Sequence, residues 1–158
     1  MVGDSAGGNL VAALTVMAIQ RNFRVPDGII MAYPVLEFGM NHFNPSLLLS
    51  LDDALLPYPF LKMCSDCTKG NYENLNHPLI SPMLASDEVL KKFPPTRIMS
   101  AQSCPFRDDS IKFTLRLAQL GKDVILKEFS LLTHGFLSFN IPVVGMKDES
   151  MAGIQLGK

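Results

Sequence analysis

Apolar and polar positions along the chain fall into blocks of strand length and blocks of helix length. Leu10 to Ile19 is an apolar run, broken only by Thr15, directly behind a glycine-rich stretch; its length and lack of a polar face predict a buried helix. Gly28 to Tyr33 is continuously apolar, opened by the turn residues Val25-Pro26-Asp27-Gly28 and stopped by Pro34, which predicts a strand buried on both faces of a parallel sheet. Thr96 to Ala101 and Val124 to Phe129 predict two more strands. Between them Asp108 or Asp109 caps an amphipathic helix with Ile111, Leu115 and Ala118 on one face and Gly121 closing it. Ser86-Asp87-Glu88 opens a short helix that ends before Pro94-Pro95. From Leu36 to about Gly70 no period holds, because Asn41, His42, Asn44 and Pro45 interrupt it; short apolar pieces there suit a lid or cap rather than sheet core. Asn71 to Pro82 is turn-rich, and beyond Val144 the pattern supports at most a last short helix. Strand alternating with helix implies an α/β fold, with a mostly parallel sheet flanked by helices.

The chemistry is concentrated in Gly3-Asp4-Ser5-Ala6-Gly7, a G-x-S-x-G sequence immediately ahead of the first helix. Small residues around Ser5 allow the tight strand-to-helix bend of a nucleophile elbow. The amide of Ala6 would then be one oxyanion donor, aided by the positive end of the helix dipole. A phosphate loop is the competing interpretation, but the Lys-Ser/Thr pair and the G-x-G-x-x-G spacing are both missing. Only Met1 and Val2 precede Gly3, whereas an elbow is delivered by a strand. The expectation is therefore a partial catalytic domain over residues 1–158, lacking the strands before the elbow and leaving an apolar sheet edge exposed.

Composition narrows the partners. The 158 residues are 47% hydrophobic and 18% charged with a net charge of -1, an ordinary globular balance without the basic face nucleic acid requires. Three cysteines, Cys64, Cys67 and Cys104, form no disulfide framework and suggest a reducing, cytoplasmic setting. Cys64-Ser65-Asp66-Cys67 with His77 falls short of a zinc site, since no second ligand pair accompanies it; the expectation is no metal and no organic cofactor. His42 is expected at the surface and His77-Pro78 in a turn. The nine methionines suit core gap-filling, with an acyl-chain pocket as the alternative.

Several stretches together resemble the hormone-sensitive lipase family of α/β-hydrolases: Gly3 to Leu10, Val25 to Ile29, Ala32-Tyr33-Pro34, Leu48 to Leu51, Leu55-Leu56-Pro57, Ser81 to Ala85, Pro94-Pro95, Pro105 to Ser110 and His134 to Leu137. They follow the family's order over most of residues 1 to about 140. The resemblance implies the C-terminal part of an α/β-hydrolase fold acting as a serine carboxylic-ester hydrolase on acylglycerol or other acyl esters. Ser5 matches the nucleophile, His134 the general base and Ala6 the oxyanion amide. It also implies a lipid or acyl-ester substrate and association with a lipid droplet or membrane surface. In place of the family's triad aspartate stands Cys104, ahead of Pro105, and the family's His-Gly-Gly-Gly oxyanion loop belongs upstream of the elbow. Glu37, after the strand ending at Tyr33, is the candidate substitute acid, while Asp108 and Asp109 are expected to cap their helix. The alternative is a catalytically degenerate homologue or fragment that binds lipid or a protein partner.

Overall fold

The computed structural model describes residues 1–39, 44–69 and 75–138; His42 and the tail beyond Val144 lie outside them. Four parallel strands pair in the order in which they occur: β1 (Val2–Asp4), β2 (Ile29–Ala32), β3 (Thr96–Ser103) and β4 (Val124–Thr133). The register sets Gly3 beside Met31, Met31 beside Ile98 and Ile98 beside Leu126. Helices α1 (Ala6–Gln20), α2 (Pro45–Leu48), α3 (Tyr58–Lys69), α4 (Asp87–Leu90) and α5 (Arg107–Gln119) connect and cover them, with a 3₁₀ turn at Pro82–Leu84.

Both faces of the central strands β2 and β3 are buried, which explains their lack of polar alternation, whereas the edge strands β1 and β4 are partly exposed. Ile29, Met31 and Ile98 point to one face, where they meet Val16 of α1, Leu90 of α4 and Phe113 and Leu117 of α5. Ala32, Met99 and Ala101 point to the other, under Leu47 of α2, Leu61 of α3, Phe129 and Phe136. Successive residues thus alternate between two cores, as the two-residue period of a strand requires.

Four expectations need correction. A strand does lead into the elbow: Val2–Asp4 is short but hydrogen-bonded to β2, and as the outermost strand it leaves Val2 73% exposed. The stretch read as irregular from Leu36 to about Gly70 contains α2 and α3. The buried face of α5 is Ser110, Phe113 and Leu117, not Ile111, Leu115 and Ala118; two stripes compete at the same helical period, and the one carrying the phenyl ring buries more surface. Asp108 and Asp109 do not cap α5. Its first residue is Arg107, so both carboxylates fall within the first turn, where the helix dipole favours them, and they bond outward to the α2 segment. Gly121, at φ 73°, does close that helix.

Candidate active site

Ser5 sits between β1 and α1 at φ 50°, ψ -120°, a backbone conformation costing a side-chain-bearing residue on the order of 1–3 kcal/mol. The bend is held from both sides, because the Ser5 amide donates to Ala32 O at 2.9 Å and its carbonyl accepts from Asn9 and Val35. Glycine is obligatory at two places around it. A Cβ on Gly3 would lie 2.4 Å from Gly7 O, and one on Gly8 would lie 2.8 Å from the Pro34 ring. Asn9, buried behind the elbow, donates its amide to Val35 O at 2.7 Å and Ile80 O at 2.8 Å, tying α1 to the chain after β2.

The turn after β4 brings His134 across the sheet, so that Ser5 Oγ and His134 Nε2 lie 2.8 Å apart over a sequence separation of 129. The other ring nitrogen, Nδ1, lies 3.2 Å from Cys104 Sγ in the loop after β3. Aromatic rings complete the setting: Tyr33 at 4.7 Å and Phe106 at 5.5 Å between centroids hold the imidazole in place. Burial pushes the His134 pKa down to about 4, against the opposing charges of Asp4 and Asp53. Burial also pushes the Cys104 thiol up to about 12, so position 104 is neutral. With a neutral imidazole whose Nδ1–H points at sulfur, Nε2 can accept the serine proton. A carboxylate could only accept at Nδ1 and would impose that tautomer; a thiol can donate or accept and does not.

Glu37 is not brought to the histidine. Phe38 N–H donates to Ser81 Oγ at 3.0 Å and Leu36 O accepts from Met83 at 3.1 Å, so the chain here runs along residues 81–83. The buried Glu37 acts instead on Asp109, whose pKa rises to about 6 through burial first and the Glu37 charge second. Asp53, which the sequence pattern did not single out, is one of the two carboxylates whose field reaches His134. Ala6 opens α1 beside Ser5, where first-turn amides have no intrahelical acceptor.

Two cavities meet at Ser5. One, of about 140 Å³, is lined by Ser5, Ala6, Val35, Phe38, Leu61 and Phe106 among other apolar side chains, with Cys64 of α3 in its wall. The other, of about 290 Å³, is more open and lies between Tyr33, Leu55, Leu56 and His134. His77 serves its turn by accepting the Leu79 N–H at 3.2 Å. Among the described residues no group of three or more His, Cys, Asp or Glu could hold a metal ion, and no helix is long and apolar enough to cross a membrane.

The profile of the α/β-hydrolase fold matches residues 1–138. The chain belongs to that family. Hormone-sensitive lipase of Mus musculus is 44% identical over 64 residues, covering 40% of this chain and 8% of the lipase. The carboxyl esterase 2 structure from Tuber melanosporum superposes with a TM-score of 0.87 at 27% identity, covering 98% of this chain and 50% of that one. Brefeldin A esterase, a bacterial homologue of human hormone-sensitive lipase, superposes with a TM-score of 0.79 at 28% identity, covering 86% of this chain and 40% of the esterase. The α/β-hydrolase chain described here therefore matches half or less of each of these relatives' length, and its resemblance is to esterases and lipases.

Proposed function

We propose that this α/β-hydrolase chain carries the nucleophile and base of a serine carboxylic-ester hydrolase acting on acyl esters. The observation that supports it most directly is the 2.8 Å approach of Ser5 Oγ to His134 Nε2 at a positive-φ elbow. Ser5 Oγ attacks the ester carbonyl carbon while His134 Nε2 takes the hydroxyl proton; the carbonyl oxygen becomes an oxyanion stabilised by the Ala6 amide. The tetrahedral intermediate collapses, the imidazolium returns the proton to the leaving alcohol, and the acyl group stays on Ser5. Water then attacks that acyl carbon with His134 again as base, releasing the acid and restoring the serine.

The strongly apolar cavity beside Ser5 suits the acyl chain, and the more open, less apolar one suits the alcohol portion. An acylglycerol or other lipid ester fits that division, as does binding at a lipid-droplet or membrane surface, for which the resemblance is the support. A second reading has its own observation: the neutral thiol at position 104 leaves the imidazolium without a triad carboxylate, as in a degenerate homologue that binds lipid without cleaving it. Hydrolysis of a short-chain p-nitrophenyl ester, with Ser5→Ala and His134→Gln as controls, tests the enzyme. Activity abolished by both substitutions supports it; activity indifferent to Ser5→Ala ends it.

A further inference from the structure

The more enclosed of the two cavities at Ser5 is built as a slot for an apolar tail. The elbow supplies Ser5 and Ala6, and the buried Val35 and Phe106 supply more of the wall. Helix α3 adds Leu61 and Cys64, three positions apart and so on one face, while Lys62 and Asp66 pair at 2.9 Å on its solvent side. Phe38 lines the slot too and is fixed at both backbone groups: its N–H donates to Ser81 Oγ at 3.0 Å, and its carbonyl accepts from Ser65 Oγ at 2.8 Å. Ser65 follows Cys64 on α3, so the bond that holds Phe38 also holds that helix against it.

Size then limits what the slot takes. Its volume is about 140 Å³. A dry cavity of about 150 Å³ lined by leucine, isoleucine and phenylalanine holds one benzene, about six carbons. Up to that size each buried methylene adds about fourfold to kcat/KM. Further carbons must push on Leu61, only 5% exposed, or on the fixed Phe38, and overfilling a packed wall reverses the gain. We propose that Leu61 and Cys64 of α3 set the acyl length, so that the substrates are esters of short acyl groups, with a limit at about six to eight carbons. This deepens the hydrolase reading and rests on it, since an ester carbonyl at Ser5 is what delivers the tail to the slot.

The test has one arm that needs turnover and one that does not. Across p-nitrophenyl acetate, butanoate, hexanoate, octanoate and dodecanoate, kcat/KM should climb about fourfold per methylene to hexanoate and fall about tenfold or more by dodecanoate. Cys64→Leu adds about two heavy atoms to the wall and should move the maximum to butanoate, whereas Leu61→Ala removes about three and should move it to octanoate or beyond. Cys67→Leu, at an exposed position of the same helix, should leave the profile unchanged. A maximum at acetate, activity still rising at dodecanoate, or a maximum unmoved by Cys64→Leu overturns the proposal, whether or not Leu61→Ala folds. Without catalysis, hexanamide should slow iodoacetamide alkylation of Cys64, read by peptide mass in a Cys67→Ser protein, about threefold or more, and acetamide should not. Adding Ser5→Ala should leave that protection intact. If the protein turns over none of these esters, the hydrolase reading fails, and protection by hexanamide still decides the slot: its absence overturns the proposal.

Discussion

Cys104 Sγ and His134 Nδ1 lie 3.2 Å apart, on the side of the imidazole opposite Ser5. Geometry for a relay is present and the charge is not. Replacing Cys104 with aspartate in this α/β-hydrolase should therefore raise turnover strongly, since loss of the acid's charge from a serine-protease triad costs about 10⁴ in turnover. An ionised carboxylate at Nδ1 also opposes the burial that holds His134 down to about 4. The acid limb of kcat/KM should move upward in pH, because the base must be neutral to work and now keeps its proton to higher pH. Ester turnover from pH 4 to 8 measures both. No gain in rate with the limb displaced would show that charge at position 104 does not control the barrier.

The loop that carries Cys104 is clasped from the cap. Ser46, buried on α2, donates its hydroxyl to Pro105 O at 3.0 Å and accepts the Asp108 N–H at 3.2 Å, while its own amide donates to Asp108 Oδ2 at 2.9 Å. Ser46→Ala strips the hydroxyl from one buried and one part-buried partner and should cost about 1–3 kcal/mol in urea unfolding. Because Cys104 and Phe106 flank the clasped carbonyl, kcat should fall more than KM rises. Unchanged kcat with lowered stability would make the clasp purely structural.

The elbow glycines are not equivalent. Gly3→Ala drives a Cβ to 2.4 Å from Gly7 O, and Gly8→Ala to 2.8 Å from Pro34 Cβ and 3.1 Å from its Cα, neither of which is the end of a flexible side chain. Gly7 has open space, its nearest neighbour being Asp4 Oδ1 at 3.9 Å. Gly7→Ala should be tolerated or stabilise α1 by up to about 1 kcal/mol. Gly3→Ala and Gly8→Ala should each be destabilising by several times that, with loss of Ser5 labelling. Thermal melts of the three variants check the order.

Much of the site was legible because its pieces are local signals. The elbow is a five-residue motif, the strands are apolar runs between turn residues, and His134 stands in a family-like His-Gly-Phe. What the sequence left open depends on where loops turn. Glu37 and Asp53 are both acids outside the sheet, and the sequence does not say where either is held: the Leu55 and Leu56 amides pin the Asp53 turn, and Ser81 pins the segment that carries Glu37. The buried stripe of α5 was ambiguous because Leu115 and Leu117 both fit a helical period, and tertiary packing chose Leu117, leaving Leu115 56% exposed. Tyr58–Lys69 carries no clear helical pattern in the sequence, because proline, serine and charged residues interrupt its apolar positions.

Two buried groups give stability opposite dependences on pH. His134 titrates near 4 in the folded chain against 6.5 ordinarily, so protons bind the unfolded state first and stability is lost as pH falls from about 6.5 toward 4. Asp109 titrates near 6 against 3.8, so its contribution is fully present below 3.8 and is lost as pH rises through 6. Each amounts to roughly 3 kcal/mol, and over the shared window they offset one another. Asp109→Asn keeps an acceptor for the Asn44 amide and removes one slope, so the variant should lose about 3 kcal/mol between pH 7 and pH 4. His134→Gln removes the other, and that variant should gain on acidification by a similar amount. The exposed Asp123, held below its usual range by Arg97, slopes equally in all three proteins and cancels in the differences. Urea unfolding at pH 4, 5, 6 and 7 reads the slopes, and parallel profiles for the three proteins would show that neither group is buried in the form that titrates.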